Sequence, residues 1–392
     1  MKLEKIQESL RAKGMDGWLF CDFHHRDPVG CRILGLPVDK FTSRRWFYFV
    51  PAVGAPRKLV HSVEKGKLDA LPGERVVYLP WEQLHAELRI LLGDAGRVAM
   101  QYSPMNNIPY NDLADPGIVE LVRSFGVEVV GSADLVQEFE AVLGEDGWTR
   151  HLEASVIVQE IKDRAFERIR EAVRKGETLT EYDVQQEIIR GFTENGLNCD
   201  GEWPIVAVNG HAADPHFEPT PENTVAIQAG DKVLIDLWAR RDLPDGIYYD
   251  ITWCGYVGAE PPRKYVEIWE AAIEARNAAL NLVKARLGAG ETIFGWEVDK
   301  AARDVVEARG YGPYFVHRTG HSIGTAVHGN GVHMDNLETR DDRELVPGIC
   351  FSLEPGIYLE GEMGVRTEID VFIKPDGTVV VAGEIQKDLL LL

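Results

Sequence analysis

The sequence predicts a two-domain α/β protein, with a small α/β N-terminal domain over residues 1–150. Over residues 151–392 it predicts a duplicated unit arranged about a pseudo-twofold axis. Three observations carry this prediction. The chain has 392 residues, 45% of them hydrophobic, which is enough for two or three domains with real cores. Short aliphatic and aromatic runs alternate with helical windows in the first third of the chain. Further on, two different segments each occur twice.

The opening stretch Leu3 to Lys13 is amphipathic at helical spacing. Trp18-Leu19-Phe20, Trp46 to Val50, Val76 to Leu79, Val98 to Met100 and Val127 to Val130 read as strands, with helical windows near Trp81 to Leu92 and Pro116 to Phe125. No phosphate loop or glycine fingerprint lies among them. Gly144 and Gly147 lead into charge-rich helical sequence, which sets the crossing into the second domain. There Gly176-Glu177-Thr178 returns as Gly290-Glu291-Thr292, at an offset of 114, each flanked by helical stretches. Gly230 to Asp236 matches Gly348 to Glu354 at an offset of 118, and 14 residues after each terminal acid stands another, Asp250 and Glu368. Each half therefore reads as helix, helix, then an antiparallel strand pair with one acid on each strand.

Composition excludes several classes of function. Lys and Arg number 42 against 63 Asp and Glu, a formal charge of -21 that repels phosphate backbones and anionic lipid, so neither nucleic acid nor membrane is expected as a partner. The most apolar stretch, Trp46 to Pro56, is interrupted by Pro51 and falls well short of the ~20 residues of a membrane helix. Five cysteines without a CxxC pair fit a reducing compartment. Charges at Lys2, Glu4 and Lys5 stand where a signal peptide needs an apolar core, and a soluble cytoplasmic protein is expected.

Matched halves packed about a twofold axis bring Asp236, Asp250, Glu354 and Glu368 together. Both Val233-Leu234-Ile235 and Phe351-Ser352-Leu353 lead their acid out of an apolar run. Buried carboxylates in that number need positive charge or they take up protons, and divalent cations supply it. Four of the chain's 11 histidines, His317, His321, His328 and His333, fall within 17 residues that also hold Gly320, Gly324, Gly329 and Gly331. The glycines argue for a folded loop over a helix. One imidazole beside four acids suits a metal ligand, with the others as proton or substrate contacts. Mostly oxygen donors suit Mn²⁺ or Co²⁺ better than a structural zinc.

Gly320-His321-Ser-Ile-Gly324, Leu353-Glu354-Pro355-Gly356-Ile357-Tyr358 and Gly364-Val365-Arg366-Thr367-Glu368 together resemble the metallopeptidases that include methionine aminopeptidase, Xaa-Pro aminopeptidase and prolidase. The resemblance is strong from about Glu153 onward and looser over a creatinase-like N-terminal domain. It implies the pita-bread fold. It implies two divalent ions, Mn²⁺ ahead of Co²⁺ or Zn²⁺, held by Asp236, Asp250, His321, Glu354 and Glu368, with Asp250 and Glu368 bridging. It also implies Glu354 as proton shuttle, His328 on the carbonyl oxygen, His216 and His317 on the proline side, and Arg366 and Arg340 as carboxylate-binding candidates. The chain departs from the family pattern in a longer span between the aspartates, in Trp253 where an arginine is usual, and in Arg318 in place of a glycine.

The implied activity is hydrolysis of the Xaa-Pro bond in dipeptides, by a homodimer acting on small proline-containing peptides. Alternatives are an Xaa-Pro aminopeptidase, a metal-free creatinase-like amidinohydrolase and a non-catalytic binding module. His24-His25-Arg26-Asp27 and Arg44-Arg45 read either as a loop closing an active site, that of the partner subunit included, or as a solvated loop.

Overall fold

The computed structural model describes residues 3–39 and 41–392. The chain divides into two compact units, Met1–Glu140 and Ala141–Leu392.

The first unit contains α1 (Leu3–Ala12), β1 (Gly17–Asp22), α2 (Pro28–Leu34), β2 (Trp46–Pro51), β3 (Arg57–His61), β4 (Glu74–Tyr78), α3 (Trp81–Leu92), β5 (Arg97–Met100), α4 (Pro116–Ser124), β6 (Glu128–Gly131) and a single turn, α5 (Ala133–Val136). Six strands form one sheet in the order β4-β3-β2-β1-β5-β6. Every residue of β2 is buried, as the run Trp46 to Val50 requires of a central strand. Strand β3 has no counterpart among the expected elements: its apolar pair Leu59-Val60, fully buried, is flanked by Arg57, Lys58 and His61, too short a run to register as a strand. Helix α2 was equally silent, since seven residues carry little periodicity. Its start is set by Pro28 in the first turn and by Asp27, whose carboxylate accepts from the Gly30 N–H at 2.7 Å.

Asp27 is buried, and its carboxyl is pushed up to about 7, first by burial, with the nearby Asp22 charge adding and the Gly30 N–H opposing. The folded value lies above the unfolded one. The stability it contributes is therefore fully present below about pH 4 and lost as pH rises through about 7. Asp27→Asn keeps the capping oxygen without the charge. It is expected to flatten the decline in melting temperature between pH 5 and pH 8, read by calorimetry; an unaltered pH slope would count against this account.

In the second unit α6 (Glu145–Lys175) and α7 (Glu181–Glu194) begin the first half, and α8 (Arg263–Gly288) and α9 (Gly295–Ala308) the second. Helix α6 runs unbroken across residue 150, so both sides of that position belong to this unit. Gly176 (φ 69°) caps α6 and Gly290 (φ 71°) follows α8, which is why both copies of the repeat keep glycine there. The remaining first-half strands are β7 (Leu197–Asn198), β8 (Ile205–Val208), β9 (Lys232–Arg241) and β10 (Tyr249–Tyr256). Those of the second half are β11 (Ser322–Ile323), β12 (Cys350–Leu353), β13 (Gly356–Leu359), β14 (Met363–Arg366), β15 (Ile369–Ile373), β16 (Val379–Val381) and β17 (Leu390–Leu391).

Strands β9 and β10 pair antiparallel with Asp236 opposite Thr252 and Trp238 opposite Asp250. Ile235, Leu237 and Ile251 pack with α6 and α7 in one core, so the alternating residues Asp236, Trp238, Asp250 and Thr252 face the other way. The second half differs from the expected single pair. Strand β12 pairs with β15, and the hairpin β13–β14 lies between them in sequence. Glu354 therefore sits one residue past β12, where Pro355 offers no N–H to continue a ladder, and Glu368 sits one residue before β15. A seam joins the halves: the Asp250 N–H donates to the Asp370 carboxylate at 2.8 Å and the Glu368 N–H to the Thr252 carbonyl at 3.1 Å.

Candidate metal centre

The two first-half acids project from paired strands, and the seam brings Glu368 beside them. Asp236, Asp250 and Glu368 are 7%, 4% and 2% exposed, and His321 is 3% exposed. Donor atoms of Asp250, His321 and Glu368 lie within 4.8 Å of one another, a spacing one cation can span. His321 Nε2 is 3.6 Å from Asp250 Oδ2 and 3.3 Å from Glu354 Oε1. Asp236, Asp250, His321, Glu354 and Glu368 thus line one cleft, together with His216 and His328.

Electrostatics show what this group lacks. Burial, then the charges of Asp250, Glu354 and Asp236, hold the Glu368 carboxyl well above its ordinary range. Asp250 is raised in the same way by burial and then by Asp236 and Asp370. Burial raises Glu354 to about 7. One oxygen each of Asp236, Asp250 and Glu368 is buried without a hydrogen-bond partner. Buried acceptors are rarely left so. Unpartnered oxygens on three carboxylates that line one cleft with an imidazole fit a site for hard divalent cations.

Other side chains hold the donors in place. Thr252 Oγ–H donates to Glu368 Oε2 at 2.8 Å, and Ser352 Oγ–H to Glu354 Oε1 at 3.2 Å while accepting from the His321 N–H at 3.0 Å. Asp299 on α9, fully buried, accepts from the N–H and hydroxyl of Thr319 at 2.8 and 2.7 Å and pairs with Arg303 at 2.6 Å. Arg303 in turn donates to the carbonyls of Phe315 and His317. Together they fasten the histidine loop to a helix. Gly320 lies so close to the Ser352 carbonyl that a Cβ there would collide with backbone. Gly320→Ala is therefore expected to displace His321 and weaken metal uptake by at least about tenfold, measured by equilibrium dialysis.

The remaining expected residues divide. His216 and His328 are exposed at the cleft, with the His328 ring edge-on to His321 at 4.3 Å between centroids. His317 does not line it: Nδ1–H donates to the Arg318 carbonyl and Nε2 accepts from Tyr358 Oη–H, both at 2.7 Å. Burial pushes this imidazole down to about 3, so it stays neutral. Arg366, 4% exposed, lines the cleft but is largely engaged, with Asp236, Thr252 Oγ (3.0 Å), Tyr358 Oη (3.0 Å) and the Pro215 carbonyl (3.3 Å). Its charge offsets Asp236. Arg340 is not at the cleft; its guanidinium lies 4.5 Å from the Trp296 ring centre. Thr252, Ser352, Tyr358, Asp299 and Arg303 were not singled out from sequence, although Thr252 follows a proposed ligand by two residues.

Buried acids brought by the two halves to one imidazole define a binding site for divalent cations. The profile of Metallopeptidase family M24 matches residues 154–375, more than half of the 392-residue chain, and the chain belongs to that family. The second unit has its pita-bread fold. The chain is 29% identical to an Xaa-Pro dipeptidase of Lactobacillus delbrueckii subsp. lactis, over 96% of this chain and 95% of that enzyme. The crystal structure of dipeptidase PepE from Mycobacterium ulcerans is similar with a TM-score of 0.69 at 23% identity, covering 99% of this chain and 96% of that one. A dipeptidase structure from Pyrococcus horikoshii OT3 is similar with a TM-score of 0.63 at 27% identity, over 100% of both chains.

Proposed function

We propose that this metallopeptidase hydrolyses the Xaa-Pro bond of dipeptides, using two divalent cations held by Asp236, Asp250, His321, Glu354 and Glu368, with Mn²⁺ the preferred ion. The single observation that carries this reading is the gathering of Asp250, His321 and Glu368 donor atoms within 4.8 Å of one another, beside Asp236, each of the three acids keeping a buried oxygen without a hydrogen-bond partner. The similarity to an Xaa-Pro dipeptidase over nearly the full length of both chains supports the choice of bond. The five cysteines are free, which accords with a reducing, cytoplasmic setting. No helix among the described residues is long and apolar enough to cross a membrane. Assembly as a homodimer belongs to the same proposal and is checked by light scattering.

When bound, such cations lower the pKa of water and polarise a carbonyl. Glu354, which lines the cleft beside His321, is the group placed to accept a proton and to hand it to the leaving nitrogen. His328 at the cleft donates to the carbonyl oxygen as charge develops on it, and His216 positions the proline side. Burial raises the Asp236 carboxyl, and Arg366 opposes that rise and orients the group, while His317 steadies Tyr358 behind it, so both act as positioning residues.

The deciding experiment follows cleavage of Xaa-Pro, Xaa-Pro-Yaa and Xaa-Ala peptides after chelation, with and without restored Mn²⁺. Expected is metal-dependent cleavage confined to Xaa-Pro dipeptides. Release of the first residue from the tripeptide at equal efficiency would make the protein an aminopeptidase, and no metal-dependent cleavage at all would reject the proposal.

A further inference from the structure

Of the cleft's residues that take no part in the chemistry above, two carry side chains able to recognise a substrate by charge or bulk. Trp238 and Glu202 line it together with Asp236, Asp250 and His321. Strand geometry makes Trp238 face the acids: it follows Asp236 by two residues on β9 and lies opposite Asp250 on β10. The same strand brings Glu202 alongside. Asn198 pairs with Arg240 of β9 and Ile205 pairs with Asp236, so the loop between them runs beside the stretch of β9 centred on Trp238.

Their chemistry is complementary. Trp238 is the bulkiest side chain on the cleft's wall. Glu202 is exposed, and among the described residues it is the one carboxylate lining the cleft that stands outside the proposed metal set. A dipeptide brings two charged ends, and its ammonium group needs an anion that the cations have not already taken.

Resting on the peptidase activity proposed above, the geometry points to Glu202 and Trp238 as the subsite for the substrate's amino-terminal residue. The Glu202 carboxylate takes the ammonium group, and the Trp238 indole restricts the adjoining side chain to small ones. Substrates are thus dipeptides with a free amino terminus and glycine, alanine or serine before proline.

The test compares Mn²⁺-loaded wild type with Trp238→Ala, Trp238→Leu and Glu202→Gln on Gly-Pro, Ala-Pro, Leu-Pro, Phe-Pro and N-acetyl-Ala-Pro. Binding of Ala-Pro and Phe-Pro analogues whose scissile carbonyl is reduced to methylene is measured alongside by calorimetry. Wild type is expected to favour Ala-Pro over Phe-Pro in kcat/KM by about tenfold or more, the scale of discrimination an apolar pocket achieves. Trp238→Ala should erase or reverse that ratio in both cleavage and binding, with Trp238→Leu intermediate, which covers the case of an unstable alanine variant. Glu202→Gln should raise KM for Ala-Pro by about tenfold and narrow the gap to the acetylated peptide. Unchanged ratios in both Trp238 variants, or an unchanged KM in Glu202→Gln, while wild type still cleaves Xaa-Pro, would overturn the subsite and leave the peptidase activity standing. Failure of wild type to cleave any peptide would remove both.

Discussion

Exchanging Glu368 for glutamine is expected to lower activity by more than about a hundredfold while making the metal-free protein more stable. The first effect exceeds what loss of a residue behind a ligand usually costs, about 10- to 100-fold, because Glu368 is itself a proposed ligand. The second effect follows from burial. Glu368 is 2% exposed, and the charges of Asp250, Glu354 and Asp236 compound the cost of ionising it. Glutamine fills the same space, and its carbonyl oxygen can still accept from the Thr252 hydroxyl, now 2.8 Å from Glu368 Oε2. Folding forces Glu368 to take up a proton that the unfolded chain would not hold at neutral pH, at about 1.4 kcal/mol per pH unit above the ordinary value, and glutamine removes that cost. Calorimetry in the presence of chelator measures this directly. A metal-free variant that melts well below metal-free wild type would show that Glu368 is satisfied by the protein alone.

Mn²⁺ is expected to raise the melting temperature of wild type by on the order of 10 °C at a concentration about a thousandfold above its dissociation constant. Binding to the folded state alone contributes about 4 kcal/mol under that condition, and each kcal/mol shifts a unit of this size by about 2–4 °C. The effect has a definite pH sign. In the metal-free protein the raised carboxyls, with Glu354 at about 7, stabilise while protonated, fully below about pH 4, and lose that contribution as pH rises through about 7. Cations compete with those protons. The gap between loaded and chelated melting temperatures should therefore widen from pH 6 to pH 8, and a gap that narrows over that range would contradict the assignment of the cluster.

How much of this was legible in the sequence depends on what each residue's neighbours reveal. Asp236 and Asp250 were readable because acids ending or interrupting apolar strands are conspicuous, and the matched spacing of Glu354 and Glu368 in the other half made the set coherent. That spacing concealed a real difference: the second half spends its intervening residues on the hairpin β13–β14, leaving both glutamates just off the ends of β12 and β15. The histidine-rich segment was recognisable as an irregular loop, but not which rings reach the cleft. His317 turns to Tyr358, a partner 41 residues away that no local pattern announces. Arg366 and Arg340 share a charge and part company in space, one beside Asp236 and the other over Trp296. Asp299 looks like any acid on a helix until Thr319 and Arg303 close around it. Trp238 was passed over because one aromatic in a strand ordinarily reads as core.

The contacts at the seam join residues 120 and 116 positions apart, Asp250 to Asp370 and Thr252 to Glu368. Pairings so distant along the chain are slow to form, since much loop entropy must be surrendered first. Whether the seam closes before or after the rate-limiting barrier decides when a cation that depends on it is captured, and our expectation is that it closes after. In kinetic experiments Mn²⁺ should leave the refolding limb of the chevron almost unmoved and act as a brake on unfolding.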